Sequence, residues 1–83
     1  MLVYTMRRCE DCERHYAVFW RAWTGEFVFC HPHTLTEITA RSASDECVNC
    51  GGILRVVLPC AVRTTEGDWL ALPSAQTMRA LAN

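Results

Sequence analysis

The 83-residue chain contains no lysine: all eight of its basic residues are arginines. Coding bias, as in a GC-rich genome, is the simplest origin of that absence. The functional alternative is selection for arginine's bidentate grip on phosphate or carboxylate. No apolar run approaches membrane-spanning length. Residues 1–8 are too short for an apolar signal segment and end in Arg7 and Arg8. Both observations predict a cytoplasmic protein with no membrane partner. Charge of either sign is not in excess: the formal net charge is −1. A molecule so balanced has no global pull toward nucleic acid, although a local basic face is compatible with it. Several catalytic signatures are missing as well. The chain has no spaced histidine–glutamate metalloprotease motif and no deaminase-type His-x-Glu with a downstream Pro-Cys-x-x-Cys. Gly51-Gly52 lacks the surroundings of a phosphate-binding loop. With no nucleophile–base pair to select, enzymatic function is disfavoured.

Six cysteines are present, and four of them form two close pairs, Cys9-Glu10-Asp11-Cys12 and Cys47-Val48-Asn49-Cys50. Tetrahedral zinc takes four thiolates at about 2.3 Å, and a two-residue spacer is the usual structural spacing. Two such pairs in a short chain therefore predict one four-cysteine site. Close pairs also suit metal in a reducing compartment better than a secreted disulfide framework. Four lost protons and one gained Zn²⁺ would take the formal charge from −1 to −3. A crosslink of this kind is valuable at this length, where apolar burial alone is marginal. The binding free energy of the ion becomes folding free energy. A chain 51% hydrophobic with three tryptophans is not compositionally disordered. No linker and no internal repeat beyond the paired cysteines divides it, so residues 1–83 read as one domain.

The coarse pattern is mainly β. Residues 2–6 form a strand leading to the first cysteine link. Residues 14–23 and 26–30, joined at Thr24-Gly25, read as an aromatic hairpin. Its alternation is imperfect, because Tyr16, Val18 and Trp20 share one parity while Phe19 and Trp23 share the other. Partial cover on both faces would explain that. A short strand is expected over residues 35–38 and a loop over residues 41–46. Residues 53–58 form an apolar strand that Pro59 either ends or places at an edge. A strand resumes over residues 61–65, and Glu66-Gly67-Asp68 turns into a last strand at residues 69–72. Ser74 could cap a short C-terminal helix through Gln76, Met78 and Leu81. Residues 59–83 thus make a C-terminal extension.

Backbone N–H groups in such links aim at the thiolates and spread their charge. Gly51 suits the place after the second cysteine of its pair, where φ above zero is common; Glu13 suits it less, so two geometrically unequal halves are expected. Cys30 and Cys60 read first as small buried hydrophobes. Their alternative is a second metal site, or a swapped single site, drawing on His15, Cys30, His31, His33 and Cys60. Pro32 makes simultaneous use of both of its neighbouring histidines awkward, and an exposed turn is the simpler role for them. Four cysteines close the coordination sphere, whereas catalytic zinc keeps a position for water.

In these features the chain resembles the FmdB-like regulatory zinc ribbons. The shared parts are Tyr4 ahead of the first cysteine link, the Tyr16-Ala17-Val18-Phe19 stretch, and Cys47-Val48-Asn49-Cys50-Gly51-Gly52 followed by residues 53–57. Rubredoxin is the rival likeness, with the same thiolates holding iron for electron transfer. The resemblance covers residues 2–58 and implies a zinc ribbon using Cys9, Cys12, Cys47 and Cys50. The chain departs from the pattern in lacking glycine after Cys12 and in carrying the added aromatic hairpin and His31-Pro32-His33. The resulting expectation is a noncatalytic zinc-binding module that docks on another protein, with a regulatory role. Trp20 and Trp23 are its first candidate anchors and Arg21 their charged neighbour. A nucleic-acid-binding ribbon is the alternative, with Arg7, Arg8, Arg14 and Arg21 on phosphate and an aromatic for stacking. The acidic neighbours Glu10, Asp11 and Glu13 weigh against it.

Overall fold

A computed structural model describes residues 2–73; the expected helix beginning at Ser74 lies outside them. Six strands form one antiparallel sheet: β1 (Tyr4–Cys9), β2 (His15–Arg21), β3 (Glu26–Cys30), β4 (Glu37–Arg41), β5 (Leu54–Arg63) and β6 (Trp69–Ala71). Their order across the sheet is β4-β3-β2-β1-β5-β6. Neighbours in sequence are neighbours in space except where β5 returns to pair with β1. That return brings the second cysteine link beside the first.

The aromatic hairpin is β2 with β3, running from Ala17 opposite Cys30 to Arg21 opposite Glu26. Val18, Phe19 and Trp20 favour the extended backbone because branched and aromatic side chains pack well on a pleated surface. Gly25, at φ 69°, supplies the left-handed residue of the turn, and its N–H donates to the Arg21 carbonyl at 2.9 Å.

The mixed parity of this hairpin follows from a sheet covered on both faces. On one face Tyr4, Met6, Ala17, Val28 and Ala61 are buried together with Cys30. On the other, Tyr16, Val18, Phe29 and Leu54 are buried with Cys9 and Cys47. Successive side chains alternate between faces, so Ala17 and Phe19 serve the first core while Tyr16 and Val18 serve the second. Edge-on aromatic contacts reinforce each: Tyr4 with Phe19 and Trp69 at centroid distances of 5.5 and 5.2 Å, and Tyr16 with Phe29 at 5.9 Å.

Pro59 does not end its strand. However, β6 pairs only with residues 61–63, so among the described residues the stretch around Pro59 has strand pairing on the β1 side alone. β5 is one ten-residue strand, paired with β1 on one side and β6 on the other. The register against β1 shifts between Tyr4 and Met6 and again between Met6 and Arg7, each time with an extra residue on β5. Such bulges leave residues out of the ladder, which accommodates a proline that has no N–H to give. The Pro59 carbonyl is still used, accepting from the Thr5 hydroxyl at 3.0 Å.

Candidate metal centre

The first cysteine link leaves the end of β1 and turns into β2. The second lies in a smaller hairpin closed by a Glu46–Ile53 bridge just before β5. A hydrogen bond from Glu10 N–H to the Ile53 carbonyl, 3.0 Å, ties the two together. The result is one cluster in which the sulfurs of Cys9, Cys12, Cys47 and Cys50 all lie within 4.8 Å of one another. Cys9 and Cys50 sulfurs are 3.5 Å apart, and Cys12 and Cys47 sulfurs 3.7 Å. A tetrahedron with bonds of about 2.3 Å has sulfur–sulfur edges of about 3.8 Å, so these separations match a shared ion. They are far beyond a disulfide bond, and all six cysteines are free thiols.

The two links are near-copies in backbone geometry, against the expectation from Glu13. In the first, Glu13 N–H donates to the Cys9 carbonyl (3.1 Å) and Cys9 N–H to the Arg14 carbonyl (2.9 Å). In the second, Gly51 N–H donates to the Cys47 carbonyl (3.0 Å) and Cys47 N–H to the Gly52 carbonyl (2.7 Å). Glu13 adopts φ 65° and Gly51 φ 78°, so both take the left-handed conformation. The sheet and cluster therefore impose on a glutamate a backbone that glycine accepts freely. The next position differs too. A Cβ on Gly52 would collide with the Asp11 carboxylate and approach the Cys9 sulfur to 3.1 Å. Arg14, its counterpart, is exposed.

The electrostatics suit a cation. Cys12 N–H points at the Cys9 sulfur at 3.5 Å. Burial pushes the Cys47 thiol up, but the Tyr16 hydroxyl and the N–H groups of Cys50 and Asn49 outweigh it and bring the group down to about 6. Tyr16 is buried, and its oxygen lies 3.3 Å from the Cys47 sulfur. Burial and that same contact push the phenol upward, so it remains a proton donor. The Arg14 N–H holds the Cys12 thiol below its ordinary value. For Cys50 the Gly52 N–H pulls downward, yet neighbouring thiols and burial prevail and push it up to about 12. Four crowded sulfurs resist ionising together until a cation joins them, and all four ionise to bind it.

The other candidate ligands do not join this cluster. Cys30 is buried in the opposite core, where burial raises its thiol above the ordinary range. Cys60 is half-buried on β5, and its carbonyl accepts from Leu72 N–H at 2.8 Å. His31 and His33 sit on an exposed turn with ring centroids 5.8 Å apart. Exposed His15 begins β2. Among the described residues these side chains form no second grouping of three donors within metal reach.

Trp20 and Trp23 are exposed, by 52% and 80% respectively. Trp20 packs against Phe27 at 4.8 Å, and the Arg21 guanidinium lies 6.0 Å from the Trp23 ring. Arg21 is also engaged by Glu26 and Glu37, at 3.5 and 3.6 Å. Arg7 and Arg8 are adjacent on β1 and so face opposite sides of the sheet. Arg8 pairs with Glu13 at 2.9 Å. The four arginines thus do not line up as one unpaired cationic face. Sequence reasoning missed Tyr16 as a partner of the sulfurs, because its parity identifies only the face it serves.

Fold and site together define a class: a small antiparallel sheet protein with a four-cysteine cluster able to hold a metal ion. No family model, no curated protein and no solved structure matches the chain. Among the described residues no helix is long and apolar enough to cross a membrane.

Proposed function

We propose that Cys9, Cys12, Cys47 and Cys50 hold Zn²⁺ and that the domain is a noncatalytic module docking on another protein. The single observation that carries the metal reading is the convergence of four sulfurs within 4.8 Å, aided by N–H and O–H donors. Four protein thiolates leave no position for water, so the ion's role is structural. It would pin the start of the sheet to the hairpin before β5. Docking is supported by the two exposed tryptophans at the end of the β2–β3 hairpin, since aromatic anchors beside arginine often dominate interfaces. The likeness to FmdB-like ribbons suggests a regulatory partner.

Elemental analysis of natively loaded protein tests the metal. One zinc per chain, lost in Cys9→Ala and kept in Cys30→Ala and Cys60→Ala, is the expected outcome. A coloured, iron-loaded protein would instead favour a rubredoxin-like electron carrier. Retention of a protein partner by the parent chain but not by a Trp20→Ala/Trp23→Ala variant tests docking. Salt-sensitive retention of nucleic acid in its place would overturn that half.

A further inference from the structure

The chain's three histidines, all exposed, line one groove. A compartment of about 250 Å³ is lined by Arg14, His15, Tyr16, His31 and His33, and equally by Glu13. A second compartment, of about 290 Å³, is bounded by Met6, His15, Pro32, His33 and Trp69. His15, Pro32 and His33 belong to both, so the compartments adjoin: one of mixed polarity, one largely apolar.

The turn that carries two of the histidines is held in place. The Pro32 carbonyl accepts from Trp69 Nε1 at 2.9 Å and from the Arg63 guanidinium, which also reaches the His33 carbonyl. The turn is closed by His31 N–H to the Thr36 carbonyl and Leu35 N–H to the His31 carbonyl, at 2.9 and 2.8 Å. Leu35 is held at φ 59° to complete it, a conformation unfavourable for a side chain of its size. A recognition surface gains affinity when its ordering cost is met on folding.

The charge beside this turn favours an anion over a metal. His31 Nδ1 accepts from the His33 N–H at 3.4 Å. That contact engages Nδ1 inside the turn and leaves Nε2 as the ring nitrogen open to a ligand. Arg14 adds the formal positive charge to the same wall, and it has no carboxylate partner among the described residues. Glu13 is engaged by Arg8. One guanidinium flanked by a glutamate suits a monoanion better than a phosphate dianion, and its planar fork matches a carboxylate.

The geometry points to a binding site for a small organic carboxylate with an apolar or aromatic body. Its carboxylate meets Arg14 beside the imidazoles; its body lies along Met6 and Trp69. The site adjoins the metal centre, since Glu13 and Arg14 belong to the first cysteine link and the Tyr16 hydroxyl touches the Cys47 sulfur.

The test is an NMR titration of the full, metal-loaded chain at fixed pH, read on the histidine ring signals and the Trp69 indole N–H. Phenylacetate should shift these signals saturably, while the uncharged phenylacetamide and inorganic phosphate should not. Arg14→Gln should weaken phenylacetate about tenfold, the scale of one charge-assisted contact. Arg55→Gln, which alters an arginine outside the groove, should not weaken it. Unchanged metal content in Arg14→Gln establishes that the variant folds. Equal response to the amide, full affinity in Arg14→Gln, or the same shifts from phosphate alone would each overturn the proposal. So would histidine shifts produced by a second equivalent of Zn²⁺ with none produced by phenylacetate.

Discussion

The two cysteine links share a backbone and differ in side chains. One presents Glu13 and Arg14 where the other presents Gly51 and Gly52. The hydrogen-bond pattern and the positive φ recur in both. What differs is room: Gly52 faces Asp11 and the Cys9 sulfur, whereas Arg14 projects outward into the groove. The sulfurs are also supported unequally, for a tyrosine hydroxyl reaches Cys47. A common link geometry can thus be met by unlike residues when the cost falls on different neighbours. Measurements on matched positions can break or sharpen that comparison.

The largest effect should be common to both links. Cys9→Ser or Cys47→Ser should abolish stoichiometric zinc binding and, as chelation should, unfold the domain; structural sites contribute folding free energy directly. Loss of metal in one variant only would show that the links are not equal partners. Far-ultraviolet circular dichroism with elemental analysis reads both effects.

Next in size, Gly52→Ala should destabilise the loaded protein by about 1 to 2 kcal/mol, from overpacking. The exposed Asp11 carboxylate can swing aside, but the buried Cys9 sulfur has little room to move. Arg14→Ala should stay within about 0.5 kcal/mol of the parent, as expected at an exposed position. Similar midpoints for the two variants in denaturant would sink the idea that the links differ in room.

Tyr16→Phe tests the unequal support of the sulfurs. A thiol whose native value is depressed stabilises the native state above the ordinary value near 9, and that contribution is lost as pH falls through about 6. Removing the hydroxyl lets Cys47 take up its proton at higher pH. Acid-induced metal release should therefore move upward by about half a unit to one unit, the equivalent of one lost hydrogen bond. A downward or absent shift, followed with a zinc indicator, would remove Tyr16 from the account.

The smallest effects concern φ. Glu13→Gly should stabilise by up to about 1 kcal/mol, relieving left-handed strain against the loss of a surface ion pair worth little. Gly51→Ala should cost about 1 kcal/mol. Equal and opposite shifts in Tm would show that both positions sample the same backbone well.

Spacing made much of the site legible. A two-residue link can bring its own sulfurs together, so Cys9 with Cys12 and Cys47 with Cys50 could be paired from local geometry. The β2–β3 hairpin was legible for a similar reason, its aromatic strands being joined at Thr24-Gly25. That the strand runs on through Pro59 was not legible, because it depends on bulges opposite β1, a partner distant in sequence. Glu13 was misread because intrinsic preference yielded to the closure of the cluster. The mixed parity of Tyr16 to Trp23 was ambiguous until both faces proved to be covered.

By itself, then, the amino-acid order determined the chemical identity of a four-thiol set and the strand-forming character of the segments around it, because both arise from near neighbours. Only the tertiary structure decided that β5 returns against β1, that Tyr16 reaches Cys47, that Cys30 is a core residue, and that three histidines share a groove. Each of these depends on contacts between segments far apart along the chain. Their register is set by packing on two faces at once, which no local pattern encodes.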